Sequence, residues 1–158
     1  MKKAIYAGTF DPITFGHIDV VSRAIKIFDK IVIGISAEPK KSLFTQKQRI
    51  QLVEAVFRNN NKIKVLGFST LLVDFAKRLG ATTIIRGIRA ISDYDYELQL
   101  TLMNRKLAPK IETIFLMPSE EYIFISSSLV KEIASLHGDI SQLVPDIIAQ
   151  ALRKKLKI

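Results

Sequence analysis

Five short apolar runs, Ala4 to Gly8, Ile31 to Ser36, Ile63 to Phe68, Thr82 to Arg86 and Thr113 to Met117, recur along the chain with helix-like segments between them. Strands that alternate with helices predict a parallel sheet, because a parallel connection must cross over the sheet and a helix is the usual crossover. The runs are continuously apolar instead of alternating, so the strands are expected to be covered on both faces. Helix signals agree. Ile18, Val21, Ala24, Ile25 and Phe28 recur at helical spacing after the first run. Thr45 with Gln48 reads as a capping box ahead of Ile50, Val53 and Phe57, and Ser92 with Asp95 as a weaker one. Gly80 closes the segment Leu71 to Leu79, and Pro145-Asp146 opens the last helix with proline at its first position. The expected fold is α/β: a single-domain, Rossmann-like, doubly wound sheet of five parallel strands with helices on both faces and a C-terminal helical segment. At 158 residues the chain can bury a real core as one domain, and no repeat, low-complexity tract or linker divides it.

The absence of cysteine excludes disulfides, thiolate catalysis and Cys-based zinc sites together, and is compatible with a reducing cytoplasm. No signal peptide is expected, since the first apolar stretch is only a few residues long and runs into Asp11 and Pro12. No apolar run approaches the roughly 20 residues of a membrane span. The expected location is therefore cytoplasmic. A net charge of +9 suggests anionic partners such as nucleotides, phosphorylated metabolites, nucleic acid or acidic lipid. Part of that excess, Arg153, Lys154, Lys155 and Lys157, closes the last helix, where cations favour the negative end of its dipole.

In an open parallel sheet, ligands bind beyond the carboxyl ends of the strands, near the point where strand order reverses. The loops expected there hold Thr9 and His17 after the first strand, Lys40 and Lys41 after the second and Thr70 to Leu72 after the third. Arg86, Gly87 and Arg89 follow the fourth, and Ser119 to Ser128 the fifth. The stretch Gly8-Thr9-Phe10-Asp11-Pro12-Ile13-Thr14-Phe15-Gly16-His17 leads from strand to helix, so backbone N–H groups and the positive helix end point at whatever sits above it. Gly16 would let the backbone come close to a ligand, and His17 could aim a ring N–H the same way. Arg86 and Arg89 flank Gly87 and either clamp a phosphate or pair with Asp93, Asp95 or Glu97. Ser126, Ser127 and Ser128 open a helix, where one serine can cap while another binds. Lys40 and Lys41 either close over a phosphate or are simply solvated. His17 and His137 lack metal-ligand spacing, and no catalytic triad or carboxylate pair is suggested. The site reads as one that stabilises anions and supplies no nucleophile of its own.

Thr14-Phe15-Gly16-His17 matches the T-x-G-H signature of nucleotidylyltransferases, and Ile125-Ser126-Ser127-Ser128 matches their second motif. With Arg86-Gly87-Ile88-Arg89-Ala90, Asp93-Tyr94-Asp95-Tyr96-Glu97, Phe115-Leu116-Met117-Pro118 and Ser126 to Glu132, the chain resembles the bacterial phosphopantetheine adenylyltransferase family nearly end to end. That resemblance implies transfer of AMP from ATP to 4′-phosphopantetheine, giving dephospho-coenzyme A and pyrophosphate. It also implies residue roles. His17 would stabilise charge on the α-phosphate, with Lys40 and Arg89 also catalytic. Thr9 and Phe10 would contact ATP, and Thr9 also the acceptor. Lys40, or Lys41 in its place, and Arg86 would hold the acceptor phosphate, while Leu72 lines the pantetheine arm. Gly87, Ile88, Arg89, Glu97 and the turn Tyr122, Ile123, Phe124, Ile125, Ser126, Ser127 and Ser128 would bind the nucleotide.

The resemblance further implies Mg²⁺ held largely through phosphate oxygens and water, a homohexamer, and feedback by coenzyme A. Apolar residues between Asp93 and Leu107 would serve either subunit contacts or the core. Phe15, Ala7 and Ser42 depart from the family's usual Asn, Pro and Pro, and none of these removes a proposed catalytic group. A nucleotidylyltransferase acting on nicotinate mononucleotide, or one making a cytidine diphosphate product, is disfavoured by the arginine and serine segments. A piece of a class I aminoacyl-tRNA synthetase is disfavoured by length and by the missing lysine-rich loop. A nucleic-acid-binding module would show a basic stripe with stacking aromatics, whereas the informative cations here sit at strand ends. Neither nucleic acid nor a membrane is an expected partner.

Overall fold

The computed structural model describes residues 2–37, 42–89 and 91–158. Along them run β1 (Lys3–Gly8), α1 (Phe15–Ala24), β2 (Lys30–Ser36), α2 (Gln46–Phe57), β3 (Ile63–Phe68) and α3 (Leu72–Arg78). There follow β4 (Thr83–Gly87), α4 (Ile91–Leu107), β5 (Glu112–Leu116), α5 (Ser127–Ser135) and α6 (Asp146–Leu156). The five strands pair in the order β3-β2-β1-β4-β5, and every pairing is parallel. The expected strands are all present; the first two begin one residue earlier, and the fourth and fifth are shifted by one residue. The chain winds outward from β1 through β2 to β3, then returns to the other side of β1 for β4 and β5. Strand order therefore reverses between β1 and β4, and the doubly wound α/β fold is the one the alternation predicts.

Successive strand residues point to opposite faces, and each face has its own core. Ala4, Tyr6, Ile31, Ile33, Ile35 and Ile85 pack with Val20 and Val21 of α1, Val53 of α2, Val130 of α5, and Ile148 and Leu152 of α6. Ile5, Ala7, Val32 and Ile84 pack on the other side with Val73, Phe75 and Ala76 of α3, and with Ala108 and Ile111 after α4. Burying one such aliphatic side chain stabilises by about 1.5–3 kcal/mol. Coverage on both faces is why the runs are continuous and not alternating.

The helix starts are chemically specified. Thr45 and Gln48 form the capping box at α2, the Gln48 N–H donating to Thr45 Oγ1 at 3.3 Å and the Thr45 N–H to Gln48 Oε1 at 3.0 Å. Ser92 and Asp95 do not mark the start of a helix, because α4 already opens at Ile91 and Ser92 lies inside it. Pro145 stands one place earlier than expected: with ψ 152° it is extended and precedes α6, so Asp146 is the first helical residue. Gly80 follows α3 with φ +63°, the left-handed conformation that glycine adopts without a Cβ clash. No described helix is long and apolar enough to cross a membrane.

Candidate active site

A cleft of about 330 Å³ opens beyond the carboxyl ends of β1 and β4, where strand order reverses. Thr9, Phe10, His17, Arg86, Gly87, Arg89, Glu97 and Ile125 all line it, drawn from segments far apart in sequence. Tyr6, Thr14 and Pro118 also face it.

The β1-α1 loop orients His17. The Thr14 N–H donates to His17 Nδ1 at 3.1 Å, and Thr14 Oγ1 lies 3.0 Å from the same nitrogen. Nδ1 is thus an acceptor, so the ring hydrogen sits on Nε2. This is a capping box in which histidine takes the place usually held by glutamate or glutamine. Burial pushes the His17 pKa down to about 4, helped by the positive charge of Arg89. Near neutral pH the ring is therefore an uncharged N–H donor.

The loop is braced from behind. Phe10 has φ +49°, a left-handed conformation that costs a non-glycine residue about 1–3 kcal/mol unless its surroundings hold it. Arg49, fully buried in α2, donates from Nη1 to the Thr9 carbonyl at 2.6 Å and from Nε to the Phe44 carbonyl at 3.2 Å. The Asp11 carboxylate accepts from the N–H groups of Leu43 and Phe44 at 2.8 and 2.9 Å and from Lys131 Nζ at 2.9 Å. Burial alone would raise the Asp11 pKa, but Lys131 and the two amides outweigh it and hold the carboxyl below its ordinary value. The brace joins the first loop to the entrance of α2 and to α5.

Gly16 has a different neighbour from the one its sequence context suggests. A Cβ there would lie 3.1 Å from the Tyr122 carbonyl oxygen and 3.7 Å from that of Ile125. The close approach is between the start of α1 and the turn before α5, so the glycine packs two walls of the cleft together. Arg89 reinforces that contact from the other side, donating from Nη1 to the Ile125 carbonyl at 3.1 Å.

Arg86 donates from Nη1 to the Ala7 carbonyl at 3.2 Å, and its Nε lies 2.6 Å from Glu97 Oε2, out of line for a hydrogen bond. Both side chains are about four-fifths buried, at 17% and 21% exposure. The pairing with Glu97 that an ordinary surface arginine would make does occur, but inside the cleft. The Ile88 N–H donates to the Leu116 carbonyl and so continues the sheet.

The serine turn divides its work. Ser126 caps α5, its Oγ accepting from the Leu129 N–H at 3.0 Å, and Ser127 Oγ donates to the Pro12 carbonyl at 2.7 Å. Ser128 is the serine of the three whose hydroxyl makes no hydrogen bond with the described residues. Of this turn only Ile125 lines the cleft; Tyr122 packs on Phe15 with ring centroids 5.9 Å apart, and Phe124 is 80% exposed. Ile123, Ser126, Ser127 and Ser128 do not line the cleft. Leu72 opens α3 and packs on the second core layer without lining the cleft. Lys40 and Lys41 lie outside the described residues.

Sequence reasoning missed Tyr6, Arg49 and Lys131. Arg49 left a trace, standing four residues before the buried Val53 on the inward face of α2. Nothing in the strand pattern marks Tyr6, and nothing in the helix pattern marks Lys131, as near the site.

A neutral imidazole donor, two arginines and a helix start converge on a cleft at the switch point of a doubly wound sheet, an arrangement suited to holding phosphate groups. Residues 5–133 match the model of the cytidylyltransferase-like family. The chain is 49% identical over 156 residues to the phosphopantetheine adenylyltransferase of Alkaliphilus metalliredigens (strain QYMF), covering 98% of this chain and 99% of that one. It is 51% identical over 160 residues to the phosphopantetheine adenylyltransferase of Methylacidiphilum infernorum (isolate V4), covering 99% and 92%. The chain belongs to the cytidylyltransferase-like family and, within it, to the phosphopantetheine adenylyltransferases.

Proposed function

We propose that this protein transfers the adenylyl group of ATP to 4′-phosphopantetheine, releasing pyrophosphate and giving dephospho-coenzyme A, a step of coenzyme A biosynthesis. The observation that carries the reading is His17, held neutral at the head of α1 with its Nε2–H making no hydrogen bond among the described residues. The attacking oxygen belongs to the acceptor's phosphate and is already anionic, so no base and no covalent intermediate are required. Alignment and charge stabilisation are enough. In this scheme His17 Nε2–H donates to a non-bridging oxygen of the α-phosphate as charge builds there. Arg89, Gly87, Ile88, Glu97, Thr9, Phe10 and the turn from Tyr122 to Ser128 form the nucleotide side.

Arg86 and Lys40, with Lys41 as the alternative to Lys40, take the acceptor phosphate. Thr9 lies between the two substrates and Leu72 borders the pantetheine arm. Arg86 is suited to this role because Ala7 and Glu97 fix its guanidinium at the cleft wall while leaving its Nη2 edge for a phosphate. Mg²⁺ fits a donor set of this kind only if the phosphates carry it. Among the described residues lining the cleft Glu97 is the sole carboxylate, and it is already paired with Arg86. Bound through phosphate oxygens and water, the ion would neutralise triphosphate charge.

A homohexamer is part of the proposal, supported by the apolar groups that α4 leaves exposed: Tyr94, Tyr96, Leu102, Met103 and Leu107. Coenzyme A is proposed as a feedback inhibitor competing at the acceptor site, and the cytoplasm as the location. Pyrophosphate release with ATP, Mg²⁺ and either 4′-phosphopantetheine or nicotinate mononucleotide tests the reaction. Equal rates with the two acceptors would refute it.

A further inference from the structure

Tyr6 is 95% buried, being 5% exposed, yet its ring stands in the wall of the cleft. It meets Phe10 edge-on at 5.3 Å and lies 6.5 Å from the His17 ring. Its hydroxyl reaches from β1 to β4, where a Cβ on Gly87 would come within 3.1 Å of it. A buried phenol normally finds a hydrogen-bond partner, but among the described residues this one has none. The cations facing it, Arg86 and Arg89, carry donors only and cannot accept its hydrogen. Glu97 also acts on it electrostatically, but its carboxylate is ion-paired with Arg86 and makes no hydrogen bond to the phenol.

We propose that the Tyr6 hydroxyl is a substrate-contacting donor for a phosphoryl oxygen of the bound nucleoside triphosphate, placed between His17 and Gly87. This deepens the adenylyl-transfer reading and rests on it for the identity of the nucleotide. An oxygen at that point accepts from Tyr6 within the positive field of Arg86 and Arg89, and so supplies the acceptor that the guanidinium groups cannot. The close approach also assigns Gly87 a second task, since any side chain there would push into the hydroxyl. Burial raises the phenol's pKa, so the group stays protonated and able to donate throughout the physiological range.

Tyr6→Phe tests this, because it removes one oxygen and keeps the ring packing on Phe10. The expected result is a dissociation constant for ATP raised about tenfold by calorimetry, a matching fall in kcat/KM for ATP, and an unchanged KM for the acceptor. The melting temperature of the ligand-free protein stays as in the wild type, since the hydroxyl has no partner to lose. Wild-type ATP affinity in Tyr6→Phe, a loss confined to the acceptor, or a drop of several degrees in the ligand-free protein would each overturn the proposal. A wild-type protein that binds ATP but adenylylates no 4′-phosphopantetheine defeats the functional reading alone, and the two ATP affinities still decide the role of Tyr6.

Discussion

Replacing His17 by alanine separates two consequences of one buried ring. The first is kinetic. A positioned donor aimed at developing charge in a water-poor cleft accounts for about 10²- to 10³-fold in kcat, or about 3–4 kcal/mol, so kcat should fall by that factor while ATP binding survives. The second is a pH dependence of stability. The His17 pKa lies near 4 in the folded protein, against 6.5 for a free histidine. At 1.36 kcal/mol per pH unit that gap amounts to at most about 3.4 kcal/mol. The folded pKa is the lower one, so between pH 6.5 and 4 the unfolded chain binds the proton and the folded chain does not. Stability therefore falls as pH drops through that window and is unaffected by this group above it. Urea denaturation of both proteins at pH 7.5, 6, 5 and 4.5 should show the steeper acid decline in the wild type. The kcat of the wild type should meanwhile show no inflection from His17 between pH 5.5 and 8. Parallel acid limbs, or a kcat inflection near 6.5 that vanishes in His17→Ala, would refute the neutral-donor assignment.

Arg86→Ala should raise the acceptor KM tenfold or more and leave the ATP KM near the wild-type value; initial-rate kinetics with each substrate varied would show an unchanged acceptor KM if the assignment is wrong. Gly16→Ala places a methyl 3.1 Å from the Tyr122 carbonyl, forces the turn before α5 to yield, and should cost about 1–3 kcal/mol of stability in denaturant titrations. Arg49→Met strips two buried carbonyls of a charged donor, so a loss of about 3 kcal/mol or more is expected, along with weaker ATP binding from a loosened Phe10. A melting temperature within a degree of the wild type would show that the Arg49 brace contributes nothing.

The fold was largely legible because its signals are local. Strand runs such as Ile31 to Ser36 carry their own length and apolar character, and the Thr45-Gln48 box needs only four consecutive residues. Signals failed where local chemistry permits two outcomes. Ser92 and Asp95 have the right spacing for a cap, but α4 begins before them. Serine at the head of α5 satisfies both a cap and a ligand site, and only the packing shows that Ser126 caps and Ser127 is tied to Pro12. Arg86 could be read either as a phosphate clamp or as half of an ion pair, and the cleft contains the ion pair.

Periodicity and strand-end position are short-range properties, so the α/β class of the sheet and the strand-end segments that carry His17, Arg86 and Arg89 could be read from the chain alone. Strand order, by contrast, is not written in any one run, because an apolar strand is equally buried at several places in a covered sheet. Only the tertiary structure put β1 beside β4 and so brought their loops to one cleft. Only it paired Asp11 with Lys131, 120 residues apart, set Arg49 against the Thr9 carbonyl and left the Tyr6 hydroxyl facing two arginines. Such contacts depend on which charged groups the packed helices carry into each other's reach, and burial then fixes their protonation, as it does for His17.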